Sequence, residues 1–286
     1  MSSNLRTLLV LGRVSNLPTV WSNCLAGWWL GGGGNYWKLP LLLAGVSLLY
    51  TGGMFLNAAF DEHFDRQRRL DRPIPAGKIS AAPVWRWGFG QLAAGILLLL
   101  FGGKVAAVAA IALALCIVLY DGTHRLFTAS PWLMGACRFW VYVIAGATGV
   151  DGLNGFVIFG GAALAFYVVG LRHVARRVGV RGPVPRWPVL LLAVPIVLAL
   201  MQNTGAYRPP AWWISLVLAL WIVRCVRTVL FRGETNAGWV VANLLPGIVL
   251  VDWLAVAPQL PHLLSAGVFL GLFGLAKWLQ KCVPAA

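Results

Sequence analysis

Ten apolar stretches succeed one another along the chain. They lie near Leu17–Leu30, Leu39–Phe60, Val84–Phe101, Val105–Tyr120 and Pro131–Val150, then near Gly155–Leu171, Trp187–Met201, Ala211–Val223, Gly238–Ala257 and Leu263–Leu279. Several approach the roughly twenty residues a helix needs to cross a hydrocarbon core of about 30 Å. Their apolar positions run on without the two-residue alternation of barrel strands, so helices are the expected elements. The pattern predicts an all-α polytopic membrane protein forming a single transmembrane domain over residues 1–286. The first stretch contains Pro18, Trp21 and Trp28 and is too long and too aromatic for a cleaved signal peptide.

Composition sharpens this picture. Of the 286 residues, 59% are hydrophobic and 11% charged, whereas soluble domains carry about 25% charged residues. A cytosolic enzyme, a secreted disulfide scaffold and a disordered chain are excluded. The net charge of +15 would suggest nucleic acid in a soluble protein, but here its placement speaks of membrane orientation. All but Lys38, Lys104, Arg208 and Arg138 of the 23 lysines and arginines fall before the first apolar stretch, after an even-numbered one, or at the C-terminal end. That side is expected to be cytoplasmic, with an even number of spans and no role for nucleic acid. The five cysteines are scattered through apolar stretches and are expected to be small buried hydrophobes.

Polar chemistry concentrates after the second stretch, where four of the eight acids fall between Asp61 and Asp71. Asn57, Asp61 and Asp65 recur every four residues. On a helix they drift through only about 80° and keep their oxygens convergent. Such oxygens suit Mg²⁺, which takes one or two carboxylates and completes its shell with water and phosphate oxygens. The spacing by itself equally describes a juxtamembrane helix whose acids balance neighbouring arginines. The adjoining segment favours the ligand reading: Arg72-Pro-Ile-Pro-Ala-Gly-Lys78 is a stiff, cation-bearing turn in which Gly77 permits a reversal. Gly77-Lys78-Ile79-Ser80 is no P-loop, because Arg72 stands where the earlier glycine belongs.

Asn57, Asp61 and Asp65, followed by Arg72-Pro-Ile-Pro-Ala-Gly-Lys-Ile-Ser80, resemble the first motif of the UbiA superfamily of intramembrane prenyltransferases. The likeness extends to Tyr120-Asp121 and Arg125, and the stretch through Pro131, Met134, Gly135, Cys137 and Arg138 is similar to the UbiA-like EboC branch. The resemblance implies nine helices, against the ten apolar stretches, around a central cavity opening to the cytoplasm. It further implies Mg²⁺-dependent transfer of a prenyl group from an isoprenoid diphosphate to a lipophilic acceptor. Asp61 and Asp65 would hold the metal with help from Asn57, and Arg72, Lys78 and Arg125 would clamp phosphate oxygens. The acceptor itself is not legible.

One departure stands out. Family members carry a second aspartate-rich motif after the sixth span, yet here that place reads Gly170-Leu-Arg172-His-Val-Ala-Arg176-Arg177, with no acid between Asp151 and Glu234. Arg172 and Arg176, four apart on one face, could contact diphosphate in place of a metal, or they could merely add positive charge at the membrane edge. Arg138 within the fifth stretch is a substrate-site candidate because a charge there is costly; pairing with Asp121 or snorkelling are the structural alternatives. Asp252 is expected near the far surface, His63 to be solvated or paired, and His124 and His173 to border the cavity mouth. Trp28, Trp37, Trp85, Trp87, Trp187, Trp212 and Trp213 are expected to anchor segment ends at the interface, and Gly31–Gly34 to form a flexible loop. A non-catalytic protein that binds or moves a prenylated molecule is the main rival. A small-anion transporter fits less well, since its polar groups belong near the bilayer midplane.

Overall fold

The computed structural model describes residues 3–177, 187–203, 205, 208–231 and 237–283. Its first half comprises α1 (Ser3–Leu11), α2 (Leu17–Leu30), α3 (Lys38–Phe60), α4 (Glu62–Arg68), α5 (Ala81–Leu100), α6 (Lys104–Thr123) and α7 (Ser130–Thr148). The second half comprises α8 (Gly155–Arg177), α9 (Trp187–Gln202), α10 (Arg208–Phe231), α11 (Ala237–Leu244), α12 (Gly247–Val256) and α13 (His262–Cys282). There is no strand among the described residues. Each apolar stretch coincides with helix, and six helical segments are long and apolar enough to cross a membrane: α3, α6, α8, α10, the pair α11–α12, and α13.

The ninth stretch is broken. Pro246 lacks an N–H to donate, so the helix ends at Leu244 and restarts at Gly247. Two carbonyls beside the break find side-chain donors: the Tyr167 hydroxyl donates to Leu244 O at 2.9 Å, and Trp221 Nε1 to Asn243 O at 3.0 Å. Such rescue is what lets irregular backbone survive in an apolar bundle.

Two large apolar cores share the molecule. One gathers Val20, Val46, Leu49, Leu113 and Val141 from α2, α3, α6 and α7. The other gathers Leu164, Val168 and Leu171 of α8 with Leu218 of α10 and Ile248 of α12. Helices α2 and α7 contribute to both, and a cavity lies between them.

Helices α3 and α5 meet backbone to backbone. A Cβ on Gly52 would stand 2.9 Å from Gly88 O, and one on Gly95 would stand 2.8 Å from Gly45 O. In an apolar medium such close approach of small residues is a principal source of helix association. Gly52→Leu is expected to lower the thermal midpoint of the purified protein by the equivalent of about 1–3 kcal/mol, as overpacking does. Gly90, with open space around it, supplies the control: Gly90→Ala should melt like the parent, and equal melting of Gly52→Leu would refute the contact.

The expected flexible loop is tied down instead. Gly32, Gly33 and Gly34 all take positive φ, and their segment is bridged by Val150 N to Gly33 O at 3.1 Å and Asp151 N to Gly31 O at 2.8 Å. Glycine serves there to permit a left-handed path that two backbone hydrogen bonds then hold.

Candidate functional site

Asp61 caps the end of α3, and the helical ladder carries on through it into α4. Asp61 N bonds Asn57 O at 3.0 Å and Asp65 N bonds Asp61 O at 2.9 Å. The four-residue pitch therefore persists, and Asn57, Asp61 and Asp65 are buried, at 7%, 5% and 1% exposure. They turn inward.

Arg125, from the connection between α6 and α7, lies across both carboxylates. Its Nε donates to Asp61 Oδ1 at 2.5 Å, its Nη2 stands 3.8 Å from Asp65 Oδ1, and its guanidinium covers the Phe64 ring at 3.5 Å. His124 Nε2 approaches Asp61 Oδ1 at 3.4 Å, and Arg72 Nη1 approaches Asp65 Oδ2 at 3.5 Å. Burial acts to raise the Asp61 carboxyl, but the hydrogen bonds from His124 and Arg125 prevail and hold it well below the usual range. For Asp65 burial prevails over the Arg72 charge and pushes the carboxyl up. Arg72 is lowered by its own burial and by Arg13 nearby.

Behind this pair, Asn57 Nδ2 donates to Asp121 Oδ1 at 3.0 Å. Asp65 Oδ1 and Asp121 Oδ2 are buried without a hydrogen-bond partner among the described residues.

The basic turn folds on itself through Ala76 N to Arg72 O, Gly77 N to Ile74 O and Lys78 N to Pro73 O. Gly77 has φ +71°, a left-handed conformation that glycine adopts without strain. Ile74, 3% exposed, anchors the turn in a small core with Leu11, Phe55 and Val84. The turn forms one wall of a cleft of about 640 Å³ that also receives Arg6, Arg13, Asn57 and Asp65, with exposed Lys78 at its edge. This cleft adjoins the cavity between the cores, about 160 Å³, and Arg13 and Met54 line both. Apolar side chains dominate the cavity, with Asp121, Arg172 and Arg138 among its polar exceptions.

The two arginines of α8 part company. Arg172 lines the cavity and donates to the Tyr120 hydroxyl, whose ring stacks on His124 at 5.1 Å. Arg176 instead braces the connection from α6 to α7, donating to Thr128 O at 3.0 Å, His124 O at 3.1 Å and the Ser130 hydroxyl. Arg181 and Arg186 lie outside the described residues.

Four expectations need correction. Arg138 neither snorkels nor pairs with Asp121. Its Nη1 donates to Asn23 Oδ1 at 2.5 Å and Thr19 O at 3.2 Å, and its Nη2 to Thr19 Oγ1 at 3.1 Å. Asp252 is fully buried rather than near a surface, accepting from Ser22 Oγ at 2.5 Å, Asn23 Nδ2 at 2.6 Å and Tyr142 Oη at 2.6 Å. Of the cysteines, Cys24, Cys116 and Cys225 are buried as expected, but Cys137 is half-buried and Cys282 exposed, and the thiols of Cys116 and Cys137 meet across α6 and α7 with sulfurs 3.5 Å apart. Trp28 is core, 2% exposed, while Trp37, Trp87, Trp187, Trp212 and Trp213 are exposed as expected of anchors. His63 is exposed and lies 3.2 Å from Gln67, in keeping with expectation.

Arg13 and Asn23 were missed as candidates. The signal for Arg13 was its place beside Asn16 and Pro18 at the head of the first stretch. Its φ of 43° is unusual for a side-chain-bearing residue and fits a constrained position at the neck of the site. No group of three or more His, Cys, Asp or Glu side chains among the described residues forms a self-sufficient metal site. The donors present, two carboxylates of which one has an oxygen that accepts no hydrogen bond, nevertheless fit a Mg²⁺ ion that draws its remaining ligands from phosphate and water.

Comparison with known proteins agrees with this architecture. Over 90 residues the chain is 37% identical to protoheme IX farnesyltransferase of Geobacter sulfurreducens, covering 30% of this chain and 33% of that protein. Over 80 residues it is 35% identical to digeranylgeranylglyceryl phosphate synthase of Methanoregula boonei, covering 28% and 29%. It thus spans about a third of the length of the curated relatives it matches. In fold it is similar to the apo structure of a UbiA homologue from Aeropyrum pernix K1, with TM-score 0.68, 15% identity and coverage of 91% and 100%. It is also similar to a UbiA homologue from Archaeoglobus fulgidus bound to GPP and Mg²⁺, with TM-score 0.63, 13% identity and coverage of 88% and 99%. The model of the UbiA prenyltransferase family matches residues 16–245, so this chain, an integral membrane protein, belongs to that family.

Proposed function

We propose that the protein is a Mg²⁺-dependent prenyltransferase that moves a prenyl group from an isoprenoid diphosphate to a lipophilic acceptor within the membrane. One observation carries this reading. Buried Asp65, with an oxygen that accepts no hydrogen bond, lines a cation-lined cleft that adjoins an apolar cavity, and Asp61 lies beside it under Arg125. The cleft suits a diphosphate and the cavity suits a hydrocarbon tail. The Archaeoglobus homologue bound to GPP and Mg²⁺ lends support through shared fold. So do the relatives named as a farnesyltransferase and a digeranylgeranylglyceryl phosphate synthase.

Asp61 and Asp65 would hold the ion with Asn57 beside them, and the ion would supply positive charge against the departing diphosphate. Arg72, Lys78 and Arg125 bind phosphate oxygens and keep the leaving group aligned. Arg125 leaves its bridging position between the aspartates to do so. Arg172, the one member of the α8 pair that faces the cavity, adds charge at the mouth where the missing second acidic motif would lie. Arg176 serves by holding the loop that carries His124 and Arg125. The allylic C–O bond breaks with its electron pair leaving on diphosphate, and the new bond forms to the acceptor, which gives up a proton. Apolar walls keep water from the developing cation.

We place the basic loops and this site on the cytoplasmic side, from the bias of lysine and arginine. The likeness of Tyr120–Arg138 supports a position near the EboC branch. Purified protein incubated with labelled geranyl diphosphate is expected to bind it and release diphosphate only when Mg²⁺ is present. Binding without release in the presence of a pool of membrane-lipid acceptors would replace the transferase with a carrier, and absence of both binding and release would overturn the reading.

A further inference from the structure

Cys137 of α7 is a nucleophile for which prenyl transfer has no use, and it lines the cavity. Behind it, outside the cavity wall, stands Cys116 of α6, with the two sulfurs 3.5 Å apart. The pair has a direction. Cys137 Sγ–H donates to Cys116 Sγ, and Cys116 Sγ–H donates to Leu133 O at 3.4 Å. Cys137 thus points its proton at its partner, and its lone pairs stay available to whatever enters the cavity.

A buried cysteine is ordinarily inert; reactivity belongs to thiols that can be reached and that sit among positive charges. Cys137 meets both conditions. It is half-buried, and Arg138 and Arg172 line the same cavity, with Asp121 as the acid beside them. Cys24 and Cys225 are buried away from that wall. Position gives the pair a consequence as well. The connection that carries His124 and Arg125 leaves α6 at Thr123 and enters α7 at Ser130, about two helical turns from each sulfur. A bond between the sulfurs would staple together the two helices that present Arg125.

We propose that Cys137 and Cys116 form a reversible thiol–disulfide site on the cavity wall, oxidised by a lipophilic hydroperoxide that enters the empty cavity. Cys137 Sγ attacks the hydroxyl oxygen of the peroxide, the O–O bond breaks, and the thiol proton leaves with the alcohol. Cys116 Sγ then attacks the sulfenic acid so formed: an S–S bond forms, the S–O bond breaks, and water departs with the second thiol proton. Two thiols and one hydroperoxide become a disulfide, an alcohol and water. Closing the sulfurs from 3.5 Å to about 2.05 Å is a matter of side-chain rotation, since they already touch. An external thiol restores both by exchange. A prenyl tail in the cavity would cover Cys137 and protect it. That protection rests on the prenyltransfer reading, whereas the disulfide stands on the sulfur geometry.

The test uses the full chain in nanodiscs, carrying Cys282→Ser to remove the exposed thiol, and cumene hydroperoxide as the oxidant. Mass mapping of non-reduced peptides is expected to find Cys116 and Cys137 joined with the loss of two hydrogens, and separate again after dithiothreitol. This crosslink is read on the unsubstituted pair and does not depend on a variant folding. Dimedone, which captures sulfenic acids, should label Cys137 in Cys116→Ser and leave Cys116 unlabelled in Cys137→Ser. Geranyl diphosphate with Mg²⁺ should slow crosslinking at least about fivefold, because oxidation follows thiol exposure. No crosslink, or one that recruits Cys24 or Cys225, overturns the thiol site, and dimedone on Cys116 overturns the order of attack. Geranyl diphosphate that binds by calorimetry without slowing the crosslink overturns the route through the cavity. If it does not bind at all, prenyl transfer falls and the crosslink still decides the thiol site.

Discussion

Asp61→Ala is expected to reduce diphosphate release by about 100-fold or more, the scale at which loss of electrostatic stabilisation of a leaving group is felt. Asp61 is the pivot of the site because two side chains converge on it. Arg125 and His124 both reach its Oδ1, and the last turn of α3 places it over the start of α4. Removing it takes away one of the two carboxylates proposed to hold the metal and frees Arg125, which would then pair more closely with Asp65. Single-turnover release of labelled diphosphate at saturating Mg²⁺ measures the effect, and retained binding of geranyl diphosphate to the variant shows that the pocket persists. A rate within about threefold of the parent would remove Asp61 from the chemistry and leave the prenyltransfer proposal without its central residue.

Asp252→Ala is expected to be the most damaging change away from the cleft. Its carboxylate accepts three hydrogen bonds from α2 and α7 in a site with no exposure. Truncation leaves the Asn23 and Tyr142 donors unpaired, with Ser22 falling back on Thr19 O at 3.0 Å, and Arg138 without a countercharge. Breaking a buried charge network in this way costs about 3–5 kcal/mol, and the thermal midpoint in detergent should fall accordingly. Asp252→Asn keeps an oxygen for two donors and should melt between the two. If Asp252→Ala melts within about 2 °C of the parent, a change of about 1 kcal/mol or less, the network lacks the structural weight assigned to it.

Much of this was legible in the chain because it depends on local periodicity. Solid apolar runs marked every long helix, and the four-residue spacing of Asn57, Asp61 and Asp65 survived the change from α3 to α4 because the hydrogen-bond ladder runs through Asp61. The turn around Gly77 behaved as two prolines and a glycine dictate. What escaped depends on pairings between distant segments. Nothing near Arg138 in sequence points to Asn23, 115 positions away, and nothing near Asp252 points to Ser22, 230 positions away. The two sulfurs of Cys116 and Cys137 meet only because α6 and α7 pack at that height. Arg172 and Arg176 share a helical face, yet a single turn separates a cavity-lining residue from one that braces a loop. Periodicity reports which face a residue is on and is silent about what the neighbouring helix brings to it.

The glycine contact of α3 with α5 has a practical consequence for redesign. Because main chain rests on main chain at Gly45, Gly52, Gly88 and Gly95, the two ends of the acidic segment and its basic turn are held by a seam indifferent to side-chain choice elsewhere. A mutant library aimed at the cavity can therefore vary the opposite wall, at Met134, Val168, Val241 or Ile248, while the acidic segment keeps its shape. Selection would then act on one half of the molecule, and the other half would serve as an unchanging chassis.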